Sequence, residues 1–131
     1  MLKPAGNPYS YVHQAYKANL GYHTKAASQN EADFPIAYNI LTHKDVHQIE
    51  FLLRAIYRPQ NVYCIHIDAK QPISFQSGLR AIAACFENVY IASKLESVVY
   101  AGFTRLQADI NCMQDQVFVV KYLLLMYFQE L

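Results

Sequence analysis

A chain of 131 residues, 53% hydrophobic and 16% charged, has the composition of one globular domain with a core of its own, not of a disordered segment. Its net charge of +1 comes from scattered lysines and arginines and leaves no electrostatic case for nucleic acid or an anionic membrane as partner. The three cysteines, Cys64, Cys85 and Cys112, lack C-x-x-C spacing, which removes thioredoxin and zinc-ribbon readings. On composition alone they read as buried thiols, and an odd count cannot pair completely within the chain.

Residues 1–33 read as a poorly specified lead-in. Pro4, Gly6, Asn7, Pro8 and Ser10 break any regular pattern, and Tyr9, Tyr11, Tyr16 and Tyr22 show no clean period. No apolar run follows Met1, so neither a signal peptide nor an anchor is expected there. Residues 29–33 (QNEAD) read as a polar linker.

Order is expected from Phe34-Pro35 onward. Residues 36–42 (IAYNILT) read as a buried strand closing on His43. Asp45 then caps a helix, accepting from the N3 amide with Gln48 reaching back. Val46, Ile49, Leu53, Ile56 and Tyr57 follow at helical spacing, and Pro59 ends the run. Residues 61–68 (NVYCIHID) are greasy on both alternating faces, the habit of a central parallel strand. That strand ends on a lone carboxylate, Asp68. Past Pro72, a position suited to a first helical turn, Phe75, Leu79, Ile82, Ala83 and Phe86 mark a second helix face. Residues 88–92 (NVYIA) read as a third short strand. Residues 98–100 read as a brief strand or a loop, and Phe103, Leu106, Ile110 and Met113 as a third helix. Residues 117–131 form a divergent apolar tail, interrupted by Lys121 and shorter than the roughly 20 residues that span a bilayer. The tail either packs on the sheet or stays exposed as an aggregation hazard.

Strands alternating with helices predict an α/β fold, a Rossmann-like parallel sheet with right-handed crossovers. Ligands of such sheets sit outside the carboxyl ends of the strands, which places His43, Asp68 and Ser93/Lys94 on one rim. No G-x-G-x-x-G or P-loop glycine pattern occurs, so the rim offers a grip for base and ribose without the usual phosphate cradle. Asp68 reads as a nucleotide contact in preference to a solvated strand-end carboxylate. His43 is open between a nucleotide contact and a local hydrogen bond. A His43/His47 metal pair is disfavoured, because the helix starts between them. His66 reads as a packed, satisfied core histidine. Glu50, Glu96 and Asp109 read as solvated helix faces and a loop charge, not as catalytic carboxylates.

The ordered residues also resemble a known family. Residues 34–38 (FPIAY), His43, 52–57 (LLRAIY), 59–68 (PQNVYCIHID), Lys70, Cys85, Phe86, Asn88, Val89, 92–100 (ASKLESVVY) and 105–113 (RLQADINCM) are similar to the core 2 and I-branching β-1,6-N-acetylglucosaminyltransferases. The similarity runs from residue 34 to about 116 and implies the nucleotide-sugar-binding, N-terminal half of a GT-A-like glycosyltransferase domain. It implies transfer of GlcNAc from UDP-GlcNAc to a 6-hydroxyl of a glycan acceptor, with inversion, on the lumenal side of the Golgi membrane. It further implies no metal cofactor: Asp68-Ala69-Lys70 stands where an Asp-x-Asp metal motif would lie, with Lys70 as a partial substitute for the cation. By position, the UDP-GlcNAc contacts fall on Leu41, Thr42, His43, Asp68, Ala69, Lys70 and Tyr100. The resemblance also implies a Cys64–Cys112 disulfide, with Cys85 left over because its family partner upstream is absent.

Two departures accompany the match. The family's membrane anchor and stem have no counterpart in residues 1–33, so membrane association is expected only for full-length members. The family pattern stops after Gln116, before the half that carries the glutamate base, the acceptor contacts and the basic clamp on the diphosphate. An inverting transfer needs a base for the attacking hydroxyl. The chain is therefore expected to be a family member truncated before its base. The alternatives are a non-catalytic isoform that binds UDP weakly or a full-length partner, and an unrelated Rossmann-like binding module.

Overall fold

The computed structural model describes residues 10–42 and 44–130; side-chain surroundings are described for residues 11–42 and 44–119. His43, one of the expected site residues, lies outside the described residues.

β-branched and aromatic runs form three strands, β1 (Ala37–Thr42), β2 (Val62–Ile67) and β3 (Val89–Ile91). They pair in parallel in the order β1-β2-β3, with Leu41 opposite His66 and Cys64 opposite Tyr90. Every residue of β2 is buried, as expected of a strand covered on both faces. The third strand is shorter than the sequence run suggests, and residues 98–100 form no strand.

Helices α3 (Val46–Ile56) and α4 (Ile73–Ala84) make the crossovers. Asp45 caps α3 by accepting the His47 amide at 2.8 Å, one residue earlier than its sequence pattern suggests. Pro72 stands at the N-cap of α4, and Ile73 is the first helical residue. Tyr63, Ile65 and Ile67 of β2 pack with Leu53, Tyr57, Leu79 and Phe86 on the crossover side. Cys64 turns to the opposite side, where it meets Ala92 and Cys112. Cys112 belongs to α5 (Phe103–Glu130), and a disulfide joins it to Cys64 across 48 residues of chain.

The lead-in is more structured than its composition suggests. It forms α1 (Ser10–Leu20) and places the buried Tyr22 in the core. The Tyr22 ring lies 5.5 Å from Tyr57 and 4.8 Å from Phe86, both in edge-on geometry. Tyr38 stacks on Tyr63 at 5.1 Å. These rings give the unusual tyrosine content a structural role: each contributes a large apolar body, and several carry a satisfied hydroxyl. Tyr63, for example, donates to the Ile56 carbonyl at 2.8 Å and accepts the Arg58 amide at 2.7 Å. Residues 29–33, expected as a linker, form the short helix α2 (Gln29–Asp33). Ser28 caps it by accepting the Glu31 amide at 3.2 Å, and Glu31 accepts the Ala27 amide at 3.1 Å.

The third expected helix is present as α5, but rotated relative to its apolar pattern. Phe103, Leu106 and Met113 are exposed, whereas Ala108, Asn111, Cys112 and Gln116 are buried. Polar bonds to the sheet and its loops accompany the disulfide on that buried side: Gln116 donates to the Tyr38 carbonyl at 3.0 Å, and Asn111 to the Lys94 carbonyl at 3.2 Å. The helix continues through most of the apolar tail, with Val117 and Phe118 exposed. Among the described residues, no helix is long and apolar enough to cross a membrane.

Candidate nucleotide-sugar site at the carboxyl edge of the sheet

Asp68 follows the last residue of β2 and is nearly buried, with 8% of its side chain exposed. Its own amide donates to the Thr42 carbonyl at 3.1 Å, which extends the β1–β2 ladder by one step. Its Oδ1 accepts the Lys70 amide at 3.0 Å, the local bond by which an aspartate shapes a turn. The same oxygen takes the Val98 amide at 3.4 Å. Oδ2 faces the Lys70 ammonium at 3.6 Å, a half-exposed pair of little energetic weight. An ionised carboxylate has about four lone-pair sites, so acceptor capacity remains on Oδ2.

A second loop, residues 93–100, closes over this turn. Ser93 anchors its start, donating from its amide and its hydroxyl to the two Asp115 oxygens, each at 2.7 Å. The Ala69 amide donates to the Glu96 carbonyl at 3.0 Å, and the Lys70 ammonium donates to the Val98 carbonyl at 2.6 Å. The Glu96 amide donates to Nε2 of His66 at 2.8 Å. Beyond Val98 the chain turns sharply: Gly102 donates to the Val99 carbonyl at 3.0 Å, and Ala101 takes a positive φ of 58°. A non-glycine residue there is strained, which marks a position held by its surroundings. Tyr100, just before it, is 95% exposed.

The structure thus gathers Thr42, Asp68, Ala69 and Lys70 at one edge. Thr42 is buried, with its hydroxyl donating to the His66 carbonyl at 3.2 Å. Leu41 is half-buried in register with His66. Tyr100 stands at the end of the 93–100 loop, outside the sheet. Three residues behave differently from their sequence reading. Glu96 is no free loop charge: it accepts from Asn111 at 3.0 Å and lies 3.5 Å from the Lys94 ammonium. The Asn111 hydrogen bond, ahead of Lys94, holds its carboxyl below the usual range, which suits an anion and not a proton acceptor. Glu50 is not a solvated face either, since it accepts the Tyr22 hydroxyl at 3.1 Å. His66 is buried as expected but incompletely satisfied, with no hydrogen-bond partner at Nδ1. Sequence reasoning missed the His66–Glu96–Asn111 chain because its members are distant in sequence and share no period.

Among the described residues, no three His, Cys, Asp or Glu side chains converge as a metal site. What the edge offers is an anionic acceptor beside a cation, a combination suited to a ribose and a phosphate.

Comparison with known proteins finds relatives along most of the chain. The bovine beta-1,3-galactosyl-O-glycosyl-glycoprotein beta-1,6-N-acetylglucosaminyltransferase is 57% identical over 94 residues, covering 72% of this chain and 22% of that protein. The rat beta-1,3-galactosyl-O-glycosyl-glycoprotein beta-1,6-N-acetylglucosaminyltransferase 3 is 56% identical over 88 residues, 67% of this chain and 20% of its own length. The corresponding enzyme of Bovine herpesvirus 4 is 48% identical over 102 residues, 78% of this chain and 23% of the viral protein. The chain therefore spans about a fifth to a quarter of the relatives it matches. The family model for the Core-2/I-Branching enzyme matches residues 36–119, most of the chain, and the protein belongs to that family.

Proposed function

We propose that this chain carries the donor-binding part of a metal-independent, inverting β-1,6-N-acetylglucosaminyltransferase, with UDP-GlcNAc at the carboxyl edge of the sheet. The observation that carries the reading is Asp68: a carboxylate at the end of the central strand, with Oδ1 shaping its own turn and Oδ2 left to accept ribose hydroxyls. The names of the relatives support GlcNAc as the sugar and a galactosyl O-glycan as the acceptor. In this reading Leu41, Thr42 and His43 line the uracil, Ala69 lets the backbone approach, Lys70 lends positive charge to the diphosphate and Tyr100 packs beside the nucleotide. The disulfide supports an oxidising compartment, in keeping with the Golgi lumen.

The base for the acceptor hydroxyl lies outside these residues. Glu96 is a further carboxylate near the rim, and its bonds to Asn111 and Lys94 keep it a poor proton acceptor. The chain alone thus binds donor without transferring it. With the oxidised chain, UDP-GlcNAc and a core 1 acceptor, the expected outcome is saturable donor binding, unchanged by EDTA, and no transfer product. Sustained transfer, or binding that requires manganese, would contradict the reading.

A further inference from the structure

We infer that His66 is a positioning residue for the donor site: by accepting the Glu96 amide, its ring holds the 93–100 loop against the Asp68 turn. This rests on the nucleotide-sugar reading of that edge. The ring is fully buried and reaches across 30 residues of sequence to make the 2.8 Å bond. Two further links depend on that loop position. Glu96 turns its carbonyl to the Ala69 amide at 3.0 Å, and Val98 brings its amide to Asp68 Oδ1 at 3.4 Å. Lys70 closes the ring of contacts on the Val98 carbonyl at 2.6 Å. His66 therefore acts through backbone on three of the proposed contacts, Asp68, Ala69 and Lys70, and on the loop that displays Tyr100.

A purely packing role would be served by an apolar side chain. The imidazole instead brings one nitrogen to an amide and leaves Nδ1 buried with no hydrogen-bond partner, an exception that calls for a reason. Because Nε2 accepts, the neutral ring carries its proton on Nδ1. A proton added to Nε2 would set two donors head to head, so the latch holds only while the ring is neutral. Burial lowers the affinity of His66 for a proton, while the carboxylates of Asp68 on the same strand end, Glu96 on the loop and Asp109 on α5 oppose that shift. The net lowering fixes the sign of the linkage. Below the ordinary histidine range the unfolded chain binds the proton more readily than the folded one, so this contribution is present above about pH 6.5 and is lost as pH falls.

Two variants separate positioning from packing. His66→Gln keeps an acceptor near the position of Nε2 and does not titrate, whereas His66→Phe fills the space without an acceptor. UDP-GlcNAc is the probe, since both its phosphates are esterified and it carries no group titrating between about pH 5 and 8, the window in which histidine changes charge. For the wild type, affinity is expected to fall about tenfold as pH drops through the lowered titration of His66, the size of one lost buried hydrogen bond. His66→Gln should bind with a shallower profile than the wild type, His43 at the uracil being common to both, and His66→Phe should be weak throughout. Amide exchange reads the latch without ligand. In His66→Phe the Glu96, Ala69 and Val98 amides should lose protection, while Ala92, bonded to the Ile65 carbonyl at 2.9 Å in the sheet, keeps it. Unchanged loop protection in His66→Phe, or equal loss at all amides, overturns the proposal. Selective loss of loop protection in a chain whose wild type binds no UDP-GlcNAc upholds the latch and overturns the nucleotide-sugar reading.

Discussion

Replacing Cys112 by serine is expected to lower stability by about 4 kcal/mol, because the Cys64–Cys112 bond closes a long loop in the unfolded chain. The loop spans 48 residues and includes α4, β3 and the whole 93–100 segment. For a domain of this size such a loss moves the thermal midpoint by about 15 °C. The effect is local as well as global. Cys112 is fully buried, and the disulfide anchors the helix whose Asn111 and Asp115 hold Lys94, Glu96 and Ser93. Thiol titration of the unfolded, unreduced protein should find one reactive cysteine, Cys85. Three thiols, or a serine variant as stable as the wild type, would contradict the assignment.

Phe86→Ala should cost about 3–5 kcal/mol, the usual range for emptying a well-packed aromatic site. Phe86 is 2% exposed, and its ring lies 4.8 Å from both Tyr22 and Tyr57. Lys17 of α1 sits over the same ring at 5.4 Å. The substitution therefore removes the platform on which the N-terminal helix docks, and α1 amides should exchange faster than those of β2. A chain in which α1 stays as protected as before would mean that the helix is held by other contacts.

The reach of the sequence follows from the kind of signal each element carries. The strands and the two crossover helices are written in local patterns, alternation or helical spacing bounded by proline and polar residues, and these appear at the expected places. The position of Asp68 at the end of the central strand was legible for the same reason, from the polar residues that bound the apolar run. The lead-in was not legible because its buried residue, Tyr22, is a single anchor and not a periodic face. A signal for α2 did exist in Ser28 and Glu31, three apart, the spacing of a capping box, although the reciprocal bond goes to Ala27. The rotation of α5 ran against its pattern. Phe103, Leu106 and Met113 mark a helix correctly, but the side that meets the sheet is set by a disulfide and by polar side chains. Those long-range partners leave no period in the sequence.

The central claim is tested most directly by calorimetric titration of the oxidised chain with UDP, beside Asp68→Asn. Asparagine keeps an oxygen for the Lys70 and Val98 amides and removes the charge and the second acceptor, so the turn survives while the proposed ribose contact is weakened. Saturable binding by the wild type, weakened about tenfold or more in a variant that remains folded, is the predicted result. Equal affinity in the two proteins, or no binding by a folded wild type, would contradict it.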